Sequence, residues 1–329
     1  MSREPVDLAT VAALIEDAAA APSLHNAQPW AFRYARRTGV LHLYADLERA
    51  LPHTDPDDRG LHIGCGAALF NLRAAAAGRD LTPTVRLLPA PASPNLLAEI
   101  VLQGTGPPDD ELARLAPAIR RRHSSRHPFQ DKELPPAATA ALCTAARAEG
   151  CELLFPSAWH VQSILELVRD AEGRELIDPE VRGETVRWTP TEPYSGGGAV
   201  DGIPGEAFGP RRRGASVPVR DFAVGRPVPG RGSALFEKSP NVALLGTAQD
   251  LPADWLRAGQ ALERVLLQAT VAGLVASVTS QPLEWPETRW AVRDPVSPMA
   301  HVQMIIRLGY GPAGETSPRR PVTELLDVI

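Results

Sequence analysis

The chain has 329 residues, 44% hydrophobic and 22% charged, enough to bury a large core in one domain or two fused ones. A net charge of −5 excludes a general nucleic-acid binder, which needs a basic face. Of the 34 basic residues only Lys132 and Lys238 are lysine, so no G-x-x-x-x-G-K-[ST] loop exists and Schiff-base chemistry has no suitably apolar lysine.

In chain order, residues 7–21 read as a helix. Leu8, Val11, Leu14, Ile15 and Ala18 share one stripe, Asp7 is a candidate N-cap, and Pro22 ends the run. A polar loop over 22–30 leads into a strand. Residues 40–44, 85–88 and 100–103 read as short strands, and 66–78 as an alanine-rich buried helix. Helices follow at 109–121 and 136–149, a strand at 151–155 and a helix at 161–171. Residues 189–232 are rich in Gly, Pro and Arg and keep no period. A stretch so long is a lid or a disordered insertion. Its aromatics, Tyr194, Phe208 and Phe222, with Trp188 just before it, favour the lid, because linkers rarely carry exposed rings. A strand at 241–247, a helix at 254–274 and a strand at 302–308 complete an α+β pattern. Gly66-Ala67-Ala68-Leu69 is echoed by Gly259-Gln260-Ala261-Leu262, a weak internal repeat.

Cys65, Cys143 and Cys151 are an odd number at irregular spacing, neither a disulfide framework nor a Cys-x-x-Cys site. The N-terminus has no signal-peptide core, and the longest apolar stretch, 265–278, is too short for a bilayer. A cytoplasmic protein without membrane contact is expected.

Gly309, Gly311 and Gly314 form a G-x-G-x-x-G, but Pro312 interrupts it and no helix follows, which excludes a dinucleotide fold. His123 and His127 lack a neighbouring carboxylate and precede Pro128, which argues against zinc. The run Arg120-Arg121-Arg122-His123-Ser124-Ser125-Arg126 suits a phosphate, because guanidinium forks match its oxygens; a solvated basic surface is the plainer alternative. Arg319-Arg320 stands between two prolines, which suits a positioned contact. In the 22–30 loop, the Asn26 and Gln28 amides offer donor and acceptor to the edge of a pyrimidine-like ring, or else cap their own turn.

Together these segments resemble the FMN-dependent nitroreductase family. Arg121-Arg122-His123-Ser124-Ser125-Arg126 is similar to its Arg-x-Ser-x-Arg/Lys flavin signature. Pro22-Ser23, Asn26 and Gln28-Pro29-Trp30 are similar to its Pro-Ser-x-x-Asn-x-Gln-Pro-Trp loop. More narrowly, the chain resembles the tandem, fused nitroreductase-like flavoproteins of actinobacteria, through residues 62–69, 281–284 and 308–321.

The resemblance implies a nitroreductase-like α+β fold. Two fused halves, 1–108 and 109–329, would mimic the family homodimer, with the 189–232 insert in the second. Each flavin-binding segment occurs once, so one FMN per chain and a monomer are implied. Arg122 and Arg126 would hold the phosphate and ribityl chain, His123 and Ser124 would add hydrogen bonds, and Arg320, joined by Arg319, would close on the phosphate. Pro22, Ser23, Leu24, Asn26 and Gln28 would line the ring from the other half, and Ser280 and Gln281 would stand where the family has an acidic residue and a glycine. FMN would carry the redox chemistry, with no catalytic side chain of its own. The implied activity is NAD(P)H-dependent, ping-pong reduction of nitro or quinone-type aromatics; the alternative is an FMN-sequestering protein closed by the insert.

Overall fold

The computed structural model describes residues 6–103, 109–191, 200–214, 217–297 and 299–329. Helix α1 (Leu8–Ala18) starts where Asp7 accepts a hydrogen bond from the Thr10 backbone N–H at 2.9 Å, and it buries Val11, Leu14, Ile15 and Ala18. β1 (Trp30–Ala35) and β2 (Val40–Ala45) form a hairpin. After α2 (Arg59–Ala77) come β3 (Thr82–Leu87) and β4 (Leu96–Gln103). α3 (Asp110–Leu115) is shorter than the helix expected over 109–121, because Pro117 tightens the next turn to a 3₁₀ helix. α4 (Pro136–Ala148), β5 (Glu152–Leu154) and α5 (Ala158–Ile177) lie where expected.

The sequence reading passed over α6 (Pro179–Trp188), whose N-terminus Asp178 caps through the Glu180 and Val181 N–H groups. Two three-residue strands, β6 (Arg211–Arg213) and β7 (Ser233–Leu235), pair in parallel. Then follow β8 (Asn241–Thr247), α7 (Pro252–Val271), β9 (Val275–Thr279), α8 (Pro286–Ala291), β10 (His301–Gly309), α9 (Val322–Leu325) and β11 (Leu326–Val328).

The strands form one sheet of order β11-β1-β2-β4-β3 and a second of order β5-β8-β10-β9. β11 runs parallel to β1, Phe32 opposite Leu326, so the C-terminal strand completes the sheet of the first 108 residues. A division at residue 108 therefore does not follow the sheets. α2 and α7 pack against each other between them. The echoed glycines are the reason: a Cβ on Gly66 would strike Leu256 O, and one on Gly259 would strike Ile63 O, so only glycine permits the crossing. A buried apolar cluster surrounds each sheet.

The described part of 189–232 is packed. Ile203, Ala207, Phe208, Phe222, Ala223 and Val228 make their own buried cluster. Tyr194 and Gly196-Gly197-Gly198 lie outside the described residues. Among the described residues no helix is long and apolar enough to cross a membrane, and no cluster of residues suits a metal.

Candidate functional site

A cleft partly open to solvent runs between the α2 N-terminus, the 22–26 loop, the 122–126 segment, the end of β9 and the 203–222 segment. Ten of the residues singled out from sequence stand in its wall: Pro22, Ser23, Leu24, Asn26, Arg122, His123, Ser124, Arg126, Ser280 and Arg319. The chain brings 122–126 here by an isolated bridge from Ser124 to Ala276 of β9 and a 2.8 Å bond from Ser125 N–H to Ala276 O. The C-terminal segment crosses directly over it. A Cβ on Gly314 would strike Ser124 O, which explains the glycine without any nucleotide.

Gln28, Gln281 and Arg320, expected from the resemblance to face the cofactor, are outside that wall. Most of their polar atoms are engaged by protein, although Gln281 Oε1 is buried without a hydrogen-bond partner. Gln28 donates to Val200 O at 2.8 Å and accepts from the Arg320 N–H at 2.9 Å. Gln281 donates to Glu175 at 2.7 Å. The Arg320 guanidinium pairs with Asp46 at 3.2 Å and Glu324 at 3.5 Å. The Asn26 amide lines the cleft but is likewise used structurally: it donates to Gly202 O at 2.8 Å and Pro318 O at 3.0 Å and accepts from Arg319 at 3.0 Å. These amides tie the loop to the insert and to the C-terminal segment. They hold His25, Asn26 and Gln28 at φ of 51°, 55° and 54°, a strained run for three residues other than glycine.

One end of the cleft is short of negative charge. Arg122 and Arg319 both donate to Ala20 O, at 3.0 and 3.1 Å, just beyond α1. They face a single buried carboxylate, Glu263, 3.3 Å from Arg122. Both Nε atoms are buried without a hydrogen-bond partner. Burial first, then the neighbouring Arg122 charge, pushes Arg319 down to about 9. Arginine does not surrender its proton so readily. The shift is the cost of an under-compensated cation, which an anion in the cleft would offset. Arg126 donates to Ala207 O at 2.9 Å, stacks 4.8 Å from the Phe222 ring centroid and pairs with no carboxylate among the described residues; burial pushes it down to about 10.

The other end has the reverse balance. Arg220 lies between Glu175 at 2.8 Å and Glu284 at 2.7 Å. Glu175 also accepts from Thr185 and Gln281, and these bonds with Arg220 outweigh burial and hold it below the usual carboxylate range. Glu284 accepts from Ser280 and Arg220 only, and burial pushes it up.

His25, Arg59, Arg220, Phe222 and Glu284 also line the cleft and were not assigned from sequence. His25 lay inside a motif already singled out, and Phe222 was among the insert aromatics that favoured a lid. Arg220 carried no local signal, because its register in the insert is set only by tertiary contacts.

No protein-family model matches the chain. It is 32% identical over 327 residues to "Putative NAD(P)H nitroreductase Rv3131" of Mycobacterium tuberculosis H37Rv, covering 98% of this chain and 92% of that one. It is 29% identical to "Putative NAD(P)H nitroreductase acg" of the same organism, over 95% and 94% of the two chains. Among solved structures it is similar to the FMN-dependent nitroreductase NfnB of Mycobacterium smegmatis in complex with NADPH, at 17% identity and a TM-score of 0.38, over 65% of this chain and 97% of that one. Identity above 30% across nearly the whole of both chains, on an α+β fold with one cleft built from both ends of the sequence, means that this chain belongs to the NAD(P)H nitroreductase family.

Proposed function

We propose that the chain is an FMN-dependent NAD(P)H oxidoreductase that reduces electron-poor aromatics of the nitro or quinone type. The observation that carries this reading is the Arg122–Arg319 pair, a buried and a partly buried guanidinium opposite one carboxylate, with Arg122 Nε held only by the 3.3 Å ion pair to Glu263 and Arg319 Nε without a partner. A phosphate fits that end, since it supplies charge and acceptors together. His123 and Ser124 stand in the same wall and add hydrogen-bonding capacity. When bound, FMN supplies hydride transfer from NAD(P)H to the acceptor.

The chain's part is to bind, orient and exclude water. Arg122, Arg319 and Ser124 hold the phosphate. Pro22, Ser23 and Leu24 bound the ring from the N-terminal half, and Arg126 gives a positive edge that favours the reduced, anionic form. Ile203 and Phe222 of the insert narrow the cleft and exclude water. One cleft serves donor and acceptor in turn, which gives ping-pong order. Two halves, drawn at 1–108 and 109–329, together make a single site, so the chain acts as a monomer. Purified protein is expected to carry about one FMN per chain and to show a flavin visible spectrum. A stoichiometry near two, or colourless protein that FMN does not reconstitute, overturns the reading.

A further inference from the structure

His25 is 2% exposed and lines the cleft, and neither ring nitrogen has a hydrogen-bond partner. A neutral imidazole carries one N–H donor and one acceptor, and leaving both dry and unbonded is costly. Folding would more cheaply place an apolar ring there. The ring meets Phe222 edge-on, with centroids 5.8 Å apart. Burial first, then Arg220 and Arg126, holds its pKa well below the usual histidine value, so the imidazole is uncharged at neutral pH. The cations acting on it are Arg220 and Arg126, not the Arg122–Arg319 pair that suits a phosphate. The loop that presents it is strained and pinned by Asn26 and Gln28, which fixes where the ring points.

We infer that His25 is a specificity-determining residue, a neutral imidazole that hydrogen-bonds the nitro or quinone oxygen of the aromatic acceptor, whose ring rests against Phe222 and Ile203. The inference rests on the proposed reading of the chain as an FMN oxidoreductase. Such an oxygen is uncharged in the free acceptor, which a neutral donor matches. It gains negative charge as the acceptor is reduced, which the flanking Arg126, paired with no carboxylate among the described residues, favours. Phe222 and Ile203 come from the 189–232 segment, so the insert supplies the apolar wall of the acceptor site.

The test uses FMN-loaded, oxidised protein without reductant. Binding of 4-nitrobenzyl alcohol and of benzyl alcohol is followed by the change in flavin absorbance, and FMN affinity by fluorescence quenching. His25→Phe keeps a ring and removes both polar atoms. His25→Asn keeps a donor and an acceptor on a residue that tolerates positive φ. His25→Phe is expected to weaken 4-nitrobenzyl alcohol about tenfold, with benzyl alcohol and FMN changed less than about twofold. His25→Asn should recover most of the loss. In turnover with 2-methyl-1,4-naphthoquinone, His25→Phe should raise the KM for the quinone and leave that for NAD(P)H alone. Unchanged binding of 4-nitrobenzyl alcohol by His25→Phe overturns the inference, as does an equal loss for benzyl alcohol or a parallel loss of FMN. A wild-type chain that binds no FMN overturns the functional reading itself, and this inference with it.

Discussion

The two ends of the cleft hold opposite charge ratios. At one, Arg122 and Arg319 share Glu263; at the other, Glu175 and Glu284 share Arg220. All six groups are largely removed from water, so each ratio has a consequence that a surface pair would not have. Two cations to one anion leave a net positive charge that a ligand can neutralise. Two anions to one cation leave nothing for an anionic ligand: the carboxylates push Arg220 up against the effect of burial, and its two terminal nitrogens donate to Glu284, Glu175 and Thr185, only Nε being left without a partner. The first end is the one the proposed reading assigns to the phosphate. The second is a latch that fixes the insert to α5, α6 and the 280–284 turn.

Removing the shared partner at the latch should produce the largest effect. Arg220→Leu leaves Glu175 and Glu284 buried without their common cation, and breaking a buried pair in this way costs roughly 3–5 kcal/mol. Urea unfolding at pH 7 should show that loss in the midpoint. Arg319→Leu, by contrast, leaves Arg122 and Glu263 as a one-to-one pair and should move the midpoint far less. Equal destabilisation by the two variants would mean the charge ratio does not separate the ends.

Most of this fold was legible, and the reasons for the exceptions are physical. α1, α4, α5 and α7 announce themselves by local apolar pattern, α1 also by its Asp7 cap, whereas α2 is legible only from Gly66 because its first turns, from Arg59, follow Asp58 without a side-chain cap. β11 is three residues long and exists because β1 offers it an edge, so no local pattern marks it. The Gly66 and Gly259 echo was visible, but its meaning as a helix crossing needed both helices in place. In the site, Arg122, Ser124 and the 22–26 loop were legible through a family motif. Choosing between Arg319 and Arg320 was not. Adjacent residues on an extended chain point to opposite sides, and only the position of Asp46 decides which guanidinium turns away from the cleft.

That choice gives the second prediction. Arg319→Ala should weaken FMN by about 1.5–3 kcal/mol, tenfold or more, as a lost charge-assisted phosphate contact does. Arg320→Ala should loosen the Asp46 and Glu324 contacts and leave FMN affinity within about threefold, as should Arg37→Ala on its distant turn. Fluorescence titration of the apoprotein distinguishes them. A large effect of Arg320 with none of Arg319 would reverse the assignment of the binding end.

A balanced pair elsewhere sharpens the comparison with the smallest effect. Asp250 pairs with Arg289 at 2.8 Å, one to one and about a quarter exposed. Bonds donated by Arg289, Gln303 and Trp255 outweigh burial and hold the Asp250 carboxyl well below its usual range. Its folded pKa is therefore lower than its unfolded value of about 3.9. The stability it contributes is fully present above that unfolded value and is lost as pH falls through the folded one. Partial exposure screens the pair, so Asp250→Asn should cost only about 1 kcal/mol at pH 7. The gap between wild type and variant should narrow steadily below about pH 4, followed by urea midpoints down the pH scale. A gap that persists unchanged in acid would show that Asp250 acts through packing and neutral hydrogen bonds rather than charge. A balanced pair would then be no guide to what the two unbalanced ends gain from theirs.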